Sequence, residues 1–471
     1  MTVDYDGVIL GGTVQGREAA ALAAREGARV ALVEPPGAVD RQIRRQILLM
    51  ALAQGGTPSP LPWESLKHRV KALEAVAYPH FDLDWLATSG VDLVLESGQF
   101  SPRPRLAVTT ATRRLRSRGY LLAPGTEVTV PVIPGLAATP YLTLDTLLKL
   151  ETLPEAAIVL GRSSGAIALA QALAQWGTRT TLVSQDDTLL PTEDPDIAAF
   201  IAGLLEAAGV TLRLGTRLGA IDYRDSPEGF KLSLADGDVL TSPVLILATA
   251  PHPTLEGLNL TSLGVQPRVA QGVTIALPVN GRLATAHPRV FACGPALGGY
   301  WAEATDHQDV AIALRNALYL PVRKIAWMHR PALLSTTPGY ARIGLTVTQA
   351  QRWYASEATV VQVPCGAVLP SHRLGDITGF CRWIVHRNGQ LLGAHICGPG
   401  AEELIQTVTL AIHQRIPLQR LERLPTLPPS LGAMVPCLVE AWQRQRWQPG
   451  TWRRDWAENW FNWQRTRRQR R

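Results

Sequence analysis

The chain has no cysteine before Cys293, and its five cysteines (Cys293, Cys365, Cys381, Cys397 and Cys437) show no C-x-x-C spacing. That excludes a zinc ribbon and a closely spaced dithiol motif, and it reads as reduced thiols in a cytoplasmic protein. No uninterrupted apolar run reaches membrane-spanning length, and the N-terminus lacks the basic stretch, apolar segment and cleavage site of a secretory signal. Neither secretion nor membrane spanning is expected. Net charge is also missing over most of the chain. The formal charge of +7 comes from Trp442–Arg471, where nine Arg face only Asp455 and Glu458. A neutral body argues against broad nucleic-acid binding, whereas such a tail suits an anionic surface.

At 471 residues with 46% apolar content, the chain is too long for one core and is expected to form several domains. Residues 5–34 read as strand, tight turn, helix and strand (YDGVILGG, QGREAAALAAREG, ARVALVE). The pattern recurs over 156–184 (AAIVLG, SSGAIALAQALAQWG, TRTTLVS). Two βαβ units about 150 residues apart imply two nucleotide-type domains. From about 330 to 440, strand-like runs precede AEELIQTVTLAIHQR, whose apolar positions have helical spacing, so an α+β domain is expected there.

In a dinucleotide loop G-x-G-x-x-G, the first glycine allows the turn, the second lets backbone approach the pyrophosphate, and the third lets helix and strand close together. An acid after the second strand takes a ribose hydroxyl. Gly11, Gly16 and Glu34 fit the first, third and acidic roles. Thr13 stands at the second glycine position, with Gly12 beside it to relieve the turn and its hydroxyl expected to donate to a phosphate. In the second loop, Gly161, Ser163 and Ala166 hold the three positions, and the second strand ends at Val183-Ser184 without an acid. Nothing there selects NADH or NADPH.

Together with LLAPGTEVTVPVIPG, ILATAPHPTLEGLNL, RVFACGPALGG and LLGAHICGPGAEELI in this order, the two units resemble the pyridine nucleotide–disulfide oxidoreductases, the family of dihydrolipoamide dehydrogenase and mercuric reductase. The resemblance covers about residues 5–440. It implies an α/β fold of two Rossmann-like, FAD- and NAD(P)-binding three-layer domains plus a C-terminal α+β dimerisation domain. The expected division is 1–149 and 271–329 for the FAD domain, 150–270 for the NAD(P) domain, 330–440 for dimerisation and 441–471 for a Trp/Arg-rich tail. By position, Gly11, Gly12, Thr13, Gly16, Glu34 and Gly294 would hold FAD with Ala123 to Gly125 near its pyrophosphate, and Gly161, Ser163 and Ala166 would face NAD(P)H.

The chain departs from that family where its chemistry lies. The segment EPPGAVDRQIRRQILLMALAQ, which would carry the redox Cys pair, has none. The Lys that ends that helix and its Glu partner are both absent, with Ala168 at the Glu position. The H-P-T-x-x-E dyad reads Leu424-Pro425-Thr426 with Pro429, and the A-x-G-D signature reads Ala292-Cys293-Gly294-Pro295. Without thiols there is no dithiol relay, so no catalytic residue is assigned. Two functions follow as expectations: an FAD-dependent oxidoreductase that uses no disulfide and is linked to NAD(P)H, or a homodimeric pseudoenzyme scaffold that docks through its tail.

His80, His252, His287, His307 and His395 show no ligand spacing, and no metal is expected. Cys365, Cys381 and Cys397 are expected as packed strand residues, and packing is preferred for Cys293 as well. In TWRRDWAENWFNWQRTRRQRR, Trp452, Trp456, Trp460 and Trp463 would line one helix face with Arg around them. Docking on its own chain or on a protein partner ranks first, an anionic membrane surface second and nucleic acid third.

Overall fold

The alternation of short apolar strands and alanine-rich helices produces two parallel sheets. The computed structural model describes residues 3–469 apart from 36–40, 54–61, 78–81, 226–228, 271, 302–307, 426 and 448–451. In chain order, β1 (Tyr5–Leu10), α1 (Val14–Arg25) and β2 (Val30–Val33) form the first βαβ unit, followed by α2 (Arg41–Ala53), β3 (Asp92–Val94), β4 (Ser117–Leu122) and β5 (Leu142–Thr143). The second unit is β6 (Ala156–Leu160), α3 (Ser164–Gln175) and β7 (Arg179–Val183). After it come β8 (Thr211–Arg213), β9 (Val244–Leu247), β10 (Val290–Ala292) and α4 (Gln308–Leu318).

The first sheet runs β10-β4-β1-β2-β3 and the second β8-β7-β6-β9-β5, with parallel pairing throughout both. Parallel sheets must be covered on both faces. On one face of the first sheet, Ala19, Ala20 and Ala23 of α1 and Val310 and Leu314 of α4 pack on Ile9, Leu32 and Phe291. On the other, Val8, Leu10 and Val33 pack with Phe100, Val108 and Leu260. Alanine lets α1 approach the strands closely while favouring helix. The result is the doubly covered sheet expected of a Rossmann-like domain.

The chain divides into two compact units, Met1–Trp327 with Leu334–Thr336, and Met328–Leu333 with Thr337–Arg471. In the second, β11 (Tyr340–Gly344), β12 (Ala358–Pro364), β13 (Phe380–His386) and β14 (Leu391–Cys397) pair antiparallel as β11-β14-β13-β12. Helices α5 (Ala401–His413) and α6 (Met434–Arg446) lay Ile405, Val408, Leu438 and Trp442 on Val361, Trp383 and Ile396. The last helix is α7 (Trp452–Gln469). From Arg454 to Thr466 every residue except Ala457 is exposed. Among the described residues, no helix is long and apolar enough to cross a membrane.

Candidate functional site

The site starts where β1 ends. Gly11 (φ +123°) turns the chain so tightly that a Cβ would lie 1.9 Å from the Ala123 carbonyl oxygen at the end of β4. At Gly16 a Cβ would lie 2.0 Å from the Gly11 oxygen. Thr13 is the N-cap of α1: its hydroxyl accepts from Gly16 N at 3.2 Å and donates to Ala123 O at 3.0 Å. A hydroxyl has one proton, and Ala123 takes it. The expected donation from Thr13 to a phosphate is therefore not met. The side chain is turned inward, and its bulk fills the gap between the helix start and β4 rather than the outer face of the turn.

Glu34 directly follows β2 and is buried, with Arg17 of α1 donating to it from Nη2 at 3.0 Å and Nε at 3.4 Å. It crosses over Gly12, where a Cβ would come within 2.1 Å of Glu34 Oε2. Gly12 is thus a glycine because the carboxylate needs its space. Ligands of parallel sheets bind at the C-terminal ends of the strands, which is where all these groups collect.

The second loop repeats the device. Gly161 (φ +136°) approaches the Ala248 oxygen as Gly11 approaches that of Ala123. Ser163 caps α3, accepting from Ala166 N at 3.0 Å and donating to Ala248 O at 2.6 Å. An acid is present after all, two residues beyond Ser184: Asp186 pairs with Arg162 Nε at 2.5 Å. Tyr300 reaches this loop from beyond β10, its hydroxyl 2.8 Å from Arg162 O and 3.0 Å from Leu189 O. Burial pushes its phenol well above the usual range. Beside it, Trp301 Nε1 lies 3.0 Å from Thr192 Oγ1 and 3.2 Å from Glu193 Oε1.

Near the first loop, Gly294 (φ +61°) faces Gln15, whose Cγ would be 3.2 Å from an added Cβ. Its N–H donates at 2.8 Å to Asp309, a fully buried carboxylate in the first turn of α4. Pro295 removes a carboxylate from this bend, and Asp309 brings one back from another element. Cys293 is fully buried, its Sγ 3.7 Å from Leu122 O, and burial raises its thiol pKa well above the ordinary value. Such a thiol stays protonated and unreactive. From α2, Arg45 forms two 2.7 Å hydrogen bonds with Asp145 and one of 3.2 Å with Thr126 Oγ1. Gly125, just before Thr126, accepts from Thr254 N at 2.9 Å and from its hydroxyl at 3.0 Å.

This arrangement of two glycine loops and a separate antiparallel unit has relatives. Residues 5–312 match the family described as pyridine nucleotide-disulphide oxidoreductase, and residues 330–436 match the dimerisation domain of that family. The chain belongs to the pyridine nucleotide-disulphide oxidoreductase family. It is 27% identical to the mercuric reductase of Staphylococcus aureus over 87% of this chain and 77% of that protein. To the mercuric reductase of Streptomyces lividans it is 30% identical over 72% of each. The Cu(II) complex of the HOCl-induced flavoprotein disulfide reductase RclA of Escherichia coli has a TM-score of 0.78 at 23% identity, covering 93% of this chain and 99% of that one, which shows the shared fold. Members of the family are FAD-dependent oxidoreductases with NAD(P)H as electron donor. The dimerisation-domain match supports a homodimer.

Of the residues singled out in the sequence, the structure gathers Gly11, Gly12, Thr13, Gly16, Glu34 and Gly294 around the start of α1. Gly125 lies beyond the end of β4, next to the Arg45 contact. Gly161 and Ser163 form the corresponding edge of the second sheet. His80, His307 and Thr426 fall outside the described residues. His252 contacts Thr129 at 3.2 Å, and His395 is buried between the Tyr340 hydroxyl (2.8 Å) and Leu345 O (3.0 Å). Among the described residues no group of three or more His, Cys, Asp or Glu is arranged to hold a metal. Sequence reading missed Arg45–Asp145, Arg162–Asp186, Asp309 and Tyr300–Trp301. Only Arg45 left a signal, as a charge just before the apolar run Ile47-Leu48-Leu49.

Proposed function

We propose that this protein is an FAD-dependent, NAD(P)H-linked oxidoreductase that works without disulfide chemistry. One observation carries the reading: the first loop keeps its turn and its ribose acid with the Thr13 side chain folded inward, while α2, which would bear the redox thiols, instead bears Arg45 bound to Asp145. The residues present fit the flavin nucleotide. Gly11 to Gly16 and the N-terminus of α1 suit its pyrophosphate, since a helix start favours anions. Glu34, held by Arg17, suits a ribose hydroxyl, and Gly125 and Gly294 with Asp309 complete the set. Gly161 and Ser163 are the corresponding NAD(P)H residues, with Arg162–Asp186 beside them. The working division of the chain is 1–149 with 271–329, 150–270, 330–440 and the 441–471 tail, in a cytoplasmic homodimer.

When bound, FAD supplies an acceptor for hydride or single electrons, so the protein need only orient it. Arg45 keeps a buried positive charge on α2, fixed by Asp145. Cys293 keeps its proton on Sγ and takes no part. Tyr300 ties the second loop through Arg162 O, with Trp301 held beside it by Thr192 and Glu193.

Those contacts also favour a second reading, a homodimeric pseudoenzyme scaffold, because a loop tied to its own chain in this way can be held without a nucleotide. Absorption spectroscopy separates the two. Flavin bands in the purified protein that bleach anaerobically with NADH or NADPH support the oxidoreductase. A colourless dimer that free FAD does not reconstitute overturns it in favour of the scaffold. Turnover of lipoamide or Hg(II) would overturn the absence of disulfide chemistry.

A further inference from the structure

Helix α7 has an exposed aromatic stripe that the flavin reading does not use. Trp456, Trp460 and Trp463 are 61%, 44% and 46% exposed. At about 100° per residue, Trp452, Trp456, Trp460 and Trp463 fall within an arc of about 80° on an α-helix. No acidic residue falls in that arc by sequence position, and Glu458 on another side is held by Arg454 at 2.8 Å. The described stretch Arg454–Thr466 has almost no burial, and an isolated helix of this length is marginal in water, so a surface that covers it would stabilise it.

Three features choose between surfaces. Residues 452–471 contain no Leu, Ile, Val or Met, the aliphatic anchors that a helix normally seats in a protein groove. The indoles are packed on each other, Trp456 on Trp460 with centroids 6.0 Å apart and Trp460 on Trp463 at 5.1 Å. Ring faces already used this way are poorly placed to stack on nucleotide bases. Trp is favoured at the boundary between headgroups and acyl chains, and Arg is attracted to anionic headgroups within a Debye length. Residues 452–471 carry seven Arg against Asp455 and Glu458, a net +5 out of the chain's +7.

We propose that α7 lies in the plane of an anionic phospholipid bilayer, with the Trp stripe inserted at the headgroup boundary and the Arg residues on the phosphates. This holds whichever cofactor the loops bind. The test is co-sedimentation of the full-length protein with phosphatidylcholine vesicles and with vesicles containing equal phosphatidylcholine and phosphatidylglycerol. The expected result is pelleting with the anionic vesicles only, a blue shift of Trp emission and weaker binding at high ionic strength. The triple variant Trp456→Ala, Trp460→Ala, Trp463→Ala should bind about tenfold more weakly, because each lost indole removes interfacial area. These side chains are exposed, so circular dichroism should show an otherwise intact fold.

Five results would each overturn the proposal. These are no pelleting with anionic vesicles, equal binding to both vesicle types, and a triple variant that binds like the parent. The fourth is a triple variant that becomes monomeric, which would make the stripe a contact between two copies. Tighter binding to single-stranded RNA than to the anionic vesicles would likewise replace the bilayer with nucleic acid.

Discussion

Arg45 and Asp145 face each other through two parallel hydrogen bonds, Nε to Oδ1 and Nη2 to Oδ2, both 2.7 Å. The guanidinium side is 4% exposed and the carboxylate 20%. Removing one partner of a buried pair leaves the other charge desolvated, whereas replacing both with apolar groups of similar size is much less costly. Asp145→Asn should therefore destabilise the protein by about 3 kcal/mol. Arg45→Met combined with Asp145→Leu should cost clearly less. Urea unfolding of the two variants measures the difference, and equal losses would mean that the pair is not energetically coupled.

The two capping hydroxyls make a second prediction. Thr13→Ser keeps both hydrogen bonds and should be near neutral. Thr13→Ala leaves Gly16 N and the buried Ala123 O without the hydroxyl and should cost about 1–2 kcal/mol. Ser163→Ala should behave alike in the second loop. Because the Thr13 side chain points inward, Thr13→Gly should leave flavin affinity near that of the parent, read by fluorescence of released flavin. Clearly tighter binding in Thr13→Gly would show that the threonine obstructs the ligand.

What the sequence made legible was local. The strand–turn–helix rhythm of 5–34 and 156–184, the turns at Gly11 and Gly161 and the acid at Glu34 each depend on residues close in the chain, where periodicity and backbone sterics act. Partners far apart in sequence were not legible. Arg45 and Asp145 are 100 residues apart, and Tyr300 meets Arg162 across 138. No pattern in either segment marks the other. Thr13 lies between these cases: its position could be read, but the direction of its hydroxyl depends on Ala123, brought beside it by the pairing of β1 with β4.

Stability should fall at high pH because of the C-terminal thiols. Burial, together with the nearby Asp376 charge, pushes Cys365 from the ordinary 9.0 up to about 11. Cys397 is pushed up to about 12, chiefly by burial. Unfolded thiols ionise near the ordinary value while folded ones stay neutral, so their stabilising effect is complete below pH 9. It is lost as pH rises from there toward 11 to 12. Urea unfolding at stepped pH should show this decline, and it should be shallower in Cys365→Ala, Cys397→Ala. An unchanged slope would assign the alkaline loss to other groups.

Tyr300 and Trp301 make the final prediction, which concerns access to the second loop. The expectation is that their contacts with Arg162, Leu189, Thr192 and Glu193 are released when a dinucleotide reaches Gly161 and Ser163. If the closed arrangement dominates, apparent affinity for NADH or NADPH is reduced by the fraction that is open. Tyr300→Phe with Trp301→Ala weakens only the closed state, so the variant should bind the nicotinamide nucleotide several-fold more tightly. Any bound flavin should also be reduced faster at low nucleotide concentration, with little change at saturation. Calorimetry and stopped-flow absorbance read these two effects separately. Weaker binding in the variant would reverse the assignment and make both aromatic side chains part of the nucleotide site rather than its cover.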